Sequence, residues 1–189
     1  CSSDLGAYYG GSSKRSMKNL DLTNKRKNAW GTGLIFNHAI DSIQNVTVAA
    51  GFTREISENA NNTSYYRNAY GLGLAYNFVH TTYGLDLERQ VTKNQGDKRT
   101  KNEVRAVVRQ GLNEDWNVYA MYAYKTDKQF GDTDRTRQFM VGTEYYVYNQ
   151  GSLKVKPFLE WQATRTKYEN STVDRSRDFK TVIGLRAYW

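Results

Sequence analysis

The residues best suited to chemistry in this chain are charged ones at alternate positions. Asp86 and Glu88 stand two apart in one run, and Arg105 and Arg109 stand four apart in the next. In an extended chain successive side chains point to opposite faces, so each set shares a face, and a hairpin would make acids and guanidiniums near neighbours. Glu144 and Lys156 are related in the same way across the following turn, and Lys154, Glu160, Lys180 and Arg186 extend the charged wall. Mixed charges on one face can line a narrow water-filled passage for a polar or anionic solute. They can equally lock a filled, salt-bridged interior.

Other chemistries find no marked centre. His38 and His80 are the only histidines, and neither adjoins a nucleophile motif, so general-base catalysis is not expected. Two separated histidines and the single Cys1 do not make a zinc site of standard spacing. The carboxylates are expected to be paired with bases, and nothing marks a glycosidase dyad. The chain is therefore read as a non-enzyme with neither metal nor cofactor. Its net charge of +8 suggests an anionic partner, such as lipopolysaccharide phosphates or acidic oligosaccharide. Six basic residues between Ser12 and Asn28 (Lys14, Arg15, Lys18, Lys25, Arg26 and Lys27) would meet it. No zinc-finger, RNP or helix-turn-helix pattern points to nucleic acid.

The elements that must position these charges are strands. Fifteen Tyr, fifteen Gly and a single Pro in 189 residues favour sheet over helix. No run approaches the ~20 apolar residues of a transmembrane helix, so a membrane crossing requires a closed barrel. Period-two patterning gives ten segments: Asp4–Gly11, Ala29–Ala39, Asn45–Glu55, Tyr65–Phe78, Thr82–Val91, Glu103–Leu112, Trp116–Thr126, Arg137–Tyr148, Leu153–Arg165 and Arg177–Trp189. Short turns (Ile40–Ile43, Val79–Thr81, Asn113–Asp115, Asn149–Ser152) alternate with longer polar connections (Ser12–Asn28, Ile56–Ser64, Thr92–Asn102, Asp127–Thr136, Thr166–Ser176). That alternation predicts one domain over residues 1–189, an all-β, antiparallel, up-and-down transmembrane β-barrel in the outer membrane of a Gram-negative-type bacterium. Its termini would be periplasmic, and twelve strands are the alternative if the first loop hides a hairpin.

Within Tyr65–Phe78 the set Tyr66, Tyr70, Leu72, Leu74, Tyr76 and Phe78 opposes Arg67, Ala69, Gly71, Gly73, Ala75 and Asn77. One face is suited to lipid, the other to a lumen; a soluble ligand-binding barrel would invert the two. Gly6, Gly31, Gly33, Gly51, Gly71, Gly73 and Ala75 would leave the wall opposite the charged one nearly bare. Trp189 resembles the terminal aromatic signal of outer-membrane barrels. The Cys-Ser-Ser-Asp start resembles a mature bacterial lipoprotein, which predicts lipid on Cys1.

Two stretches carry a family resemblance. Lys156-Pro157-Phe158-Leu159-Glu160-Trp161 with the closing Gly184-Leu185-Arg186-Ala187-Tyr188-Trp189, and the hairpin Gly111-Leu112-Asn113-Glu114-Asp115-Trp116, resemble small monomeric porins for acidic sugars, the oligogalacturonate and sialic-acid type. The resemblance implies transport roles for Arg105, Arg109, Lys154, Lys156, Lys180 and Arg186. The chain departs from that family, whose members have twelve strands, in being two strands short, in its expected lipidation and in its lumen acids. The expected function is thus a narrow channel for small polar or acidic solutes. The alternative is a non-conducting barrel, lipid-anchored through Cys1, that is structural or binds another envelope protein; an outer-membrane enzyme ranks third.

Overall fold

A computed structural model describes residues 2–13, 26–58, 64–94, 96–150, 153–170 and 175–188, with side chains over 29–56, 65–94, 96–147, 155–170 and 175–187. Alternation of apolar and polar residues yields one antiparallel sheet. Its strands are β1 (Ser2–Ser13), β2 (Arg26–Ala39), β3 (Gln44–Glu58), β4 (Ser64–Phe78), β5 (Thr81–Asn94), β6 (Asp97–Gly111), β7 (Trp116–Gln129), β8 (Asp132–Tyr145), the short β9 (Tyr148–Gln150), β10 (Leu153–Lys167) and β11 (Arg175–Tyr188). Each long strand pairs with its neighbours in sequence, β8 with β10 directly, while β9 joins only β10. The ten long strands are compatible with the expected ten. β1 and β11 are the two ends of this path among the described residues.

Two expected loops are strand instead. Asn94 pairs with Asp97 and Gln129 with Asp132, so Thr92–Asn102 and Asp127–Thr136 shrink to two-residue turns. Phe130 and Gly131 both have positive φ, 52° and 96°, the mirror-image turn whose twist suits a two-residue hairpin. Alternation of apolar with polar residues had stopped earlier because both faces are polar there. Polar side chains hold these extensions: Arg99 forks onto Asp127 at 2.7 and 2.5 Å, and Asn102 donates to Thr126 at 3.1 Å. At the opposite end the turns are compact, and their asparagine and aspartate close them: Asn113 Oδ1 accepts from the amides of Asp115 and Trp116, and Asp41 Oδ1 from Ile43.

Residues directly opposite across every ladder keep the two faces distinct. One row runs Phe36, Val48, Leu74, Leu85, Ala106, Tyr122, Phe139, Ala163, Phe179 over nine strands. Most large apolar side chains of this face are exposed. The other face is concave, because its side chains touch across intervening strands: Arg109 on β6 reaches Glu144 on β8, and Tyr119 on β7 reaches Glu160 on β10. Among the described residues only Ala123 is a fully buried apolar side chain, while Glu144 and Lys156 are 3% and 5% exposed. The sheet therefore hides charge and shows hydrocarbon, the reverse of a soluble ligand-binding barrel.

Between β8 and β10 the ladder carries a bulge. Phe158 pairs with Glu144 and Val155 with Tyr148, so three residues, Tyr145, Tyr146 and Val147, face two, Lys156 and Pro157. Pro157, the chain's only proline, has no amide to give and occupies the interruption, where a proline is tolerated. The Tyr146 amide turns to the Asp115 carbonyl at 2.8 Å.

Candidate functional site

The concave face has a crowded end and an open one. At the compact-turn end, Glu144 accepts from three cations: Arg109, Lys156 Nζ at 3.1 Å and Arg186 at 3.0 Å. Arg186 bridges on to Glu160 at 2.8 Å and lies over the Phe158 ring at 4.1 Å. Lys156 also sits 4.8 Å over the ring of Tyr146, the residue the bulge turns inward. A carboxylate so buried holds its charge only with this many donors around it.

Two glycines make the crowding possible. Tyr119 lies across Gly142, its register partner, to donate to Glu160 at 2.6 Å, and a Cβ on Gly142 would meet the Tyr119 ring at 2.5 Å. Phe158 covers Gly184 in the same way, also at 2.5 Å. Gly142→Ala is expected to displace Tyr119 and cost about 1–3 kcal/mol, as overpacking does. Denaturant unfolding in detergent checks it; an unchanged midpoint would show that the ring moves aside without loss.

Along one row of β1 to β4 the same face carries glycine alone. Gly6, Gly33, Gly51 and Gly71 stand directly opposite one another, and the row continues into Glu88, Glu103 and Lys125. Above this floor lies a cavity of about 870 Å³, bordered by Gly51, Gly71, Asp86, Glu88, Glu103 and Arg105 among others. A Cβ at Gly71 would meet nothing within 4 Å, so the space is open.

The expected pairing of Asp86 and Glu88 with Arg105 and Arg109 is only partly what the chain does. Arg105 stands opposite Asp86, but its guanidinium turns to Glu103 at 3.4 Å on its own strand. Arg109 stands opposite Thr82 and crosses β7 to Glu144. The physical reason is curvature, which brings strands two apart within reach. Glu88 accepts from Gln90 at 2.6 Å, and neither Asp86 nor Glu88 has an ion-pair partner among the described residues. Glu144 and Lys156 do meet, as their spacing implied.

Lys180 shares the concave face, opposite Gln162, without an ion pair among the described residues. Cys1 and Trp189 lie outside the described residues, and so does the side chain of Lys154. His38 stacks on Phe36 on the apolar face, and His80 lies in a tight turn. Tyr119, Glu103, Lys125 and the Glu55 and Arg67 pair at 2.6 Å were not anticipated. Among the described residues no group of three or more His, Cys, Asp or Glu could hold a metal ion. Compared with family models and with curated proteins, the chain matches none.

Proposed function

We propose that the chain is an outer-membrane β-barrel, closed by pairing of β1 with β11, whose interior leaves a narrow polar passage along the glycine floor. The observation that carries this reading is the inverted burial: an exposed apolar face spanning nine strands behind a concave face of ions and glycine. A further support is the edge strand, where Phe179, Ile183 and Leu185 are 66, 80 and 65% exposed, well above the same face elsewhere. An apolar edge of this kind calls for a neighbouring strand. The termini then lie on the periplasmic, compact-turn side.

The resemblance to acidic-sugar porins implied free cations along the lumen. Here Arg105, Arg109, Lys156 and Arg186 are each tied to a carboxylate, whereas the open cavity carries Asp86 and Glu88. Small polar solutes, neutral or cationic, suit it better than acidic ones. A non-conducting structural barrel is the second reading, favoured by the ion cluster that fills the interior around Glu144.

Protein reconstituted into planar bilayers is expected to give small discrete conductance steps with a reversal potential favouring cations. Silence from a chain that migrates heat-modifiably in gels would support the structural barrel. A monomer that stays soluble without detergent would end the membrane reading altogether.

A further inference from the structure

On β4 to β11 the two faces divide the strand charges by sign, and the convex face divides them by end. On β4 to β11 every carboxylate within a strand, from Asp86 to Asp178, shares the concave face by register. The cations that point outward gather at the end away from the compact turns. Their densest part is a grid of six on three strands: Arg137, Arg165 and Arg177 stand directly opposite one another, and Arg135, Lys167 and Arg175 form the next row.

All six are exposed, and none has an ion-pair or hydrogen-bond partner among the described residues. Neighbouring strands lie about 4.8 Å apart and residues i and i+2 about 6.6 Å apart. Six positive groups thus crowd a patch roughly 10 by 7 Å at the backbone. Like charges directly opposite one another are unfavourable on a sheet. Among the described residues no carboxylate comes within ion-pair distance of them, so the grid is costly unless an external anion covers it.

Its position says what kind of anion. The two rows lie immediately above the apolar row of Phe139, Ala163 and Phe179, on the same face and in the same phase. From Arg165 the apolar positions Ala163, Trp161, Leu159, Pro157 and Val155 follow toward the turns, a run of about 26 Å from Ala163 along the strand. Groups at the rim of a lipid-facing band meet headgroups, and guanidiniums match phosphate geometry in pairs.

We propose that this grid is a docking site for the phosphates of an anionic glycolipid in the outer leaflet. The inference rests on the membrane reading above and adds to it a defined lipid site on β8, β10 and β11. Arg89 on β5 and Lys128 on β7, both exposed on the same face and at the same end, would extend contact around the wall.

The test uses the folded full chain in neutral detergent, titrated with bisphosphorylated lipid A, with fully dephosphorylated lipid A, or with inorganic phosphate. One variant carries Arg137→Gln, Arg165→Gln and Arg177→Gln; the other carries Arg135→Gln, Lys167→Gln and Arg175→Gln. Each cation near an anionic surface contributes about fivefold, so either triple change should weaken lipid A binding at least about tenfold. Without lipid both variants should melt no lower than the original chain, since repulsion has been removed. With lipid A at a concentration near the dissociation constant of the original chain, that chain should gain more in melting temperature than either variant.

Equal binding of lipid A by all three chains would overturn the proposal. Equal binding of the dephosphorylated lipid, or full occupancy by inorganic phosphate at the same concentration, would overturn it as a lipid site. Failure of the original chain to insert into bilayers would instead remove the membrane reading, and is scored separately by gel migration.

Discussion

Replacing Glu144 by glutamine is expected to destabilise the folded chain by about 3–5 kcal/mol, the usual penalty for leaving buried charge uncompensated. Glutamine keeps the shape and removes the charge that Arg109, Lys156 and Arg186 share. Lys156 is itself buried, so it has no solvent to turn to. Lys156→Met should cost less, because two guanidiniums still satisfy Glu144 and the methionine can pack against Tyr146. The double change should be milder than the sum of the single ones, as expected for groups in one network. Urea midpoints in detergent, read with the temperature at which the gel shift is lost, measure all three. A Glu144→Gln chain with an unaltered midpoint would mean that the cluster contributes nothing to holding the interior.

The second large effect is expected on selectivity. Asp86→Asn with Glu88→Gln should abolish the cation preference of the passage at nearly constant stability. Neither acid has an ion-pair partner among the described residues to be orphaned by the change. A unit charge at contact distance is worth about 1 kcal/mol even in water, about fivefold in ion preference for each carboxylate. Arg105→Ala should act in the opposite sense by releasing Glu103, which then keeps, among the described residues, Lys125 at 3.2 Å. Reversal potentials under a salt gradient report both. The same reversal potential in the Asp86 and Glu88 double variant as in the original chain would place the ion path elsewhere than over the glycine floor.

The order of strands, their antiparallel pairing and their two faces could be read from the chain where apolar and polar residues alternate, as in Tyr65–Phe78. Strand ends could not. Apart from Phe130 and the glycines at the two turns, Thr92–Asn102 and Asp127–Thr136 are polar throughout, so alternation carries no signal there. The charge pairs divide along the same physical line. Contacts across one turn, such as Glu144 with Lys156, follow from spacing. Contacts that skip a strand, such as Arg109 with Glu144 or Tyr119 with Glu160, depend on how strongly the sheet curls, which no local pattern encodes. A signal for the second did exist: Gly142 interrupts β8, and an isolated glycine inside a strand marks a close approach. The outward cations were equally legible, since Arg137, Arg165 and Arg177 stand two residues from Phe139, Ala163 and Phe179, in the same phase.

The bulge opposite Pro157 acts on folding as a key acts on a lock. A regular ladder between β8 and β10 could slide by one residue, and a slip of one would carry Glu144 into hydrocarbon while turning Val141 and Phe139 onto the ion cluster. An extra residue at 145–147 and a missing amide at Pro157 fit each other in a single alignment. Any shifted pairing would set the proline against a carbonyl it cannot satisfy. The register of β10 against β8 is thereby fixed by the backbone itself, independently of the charges on the concave face.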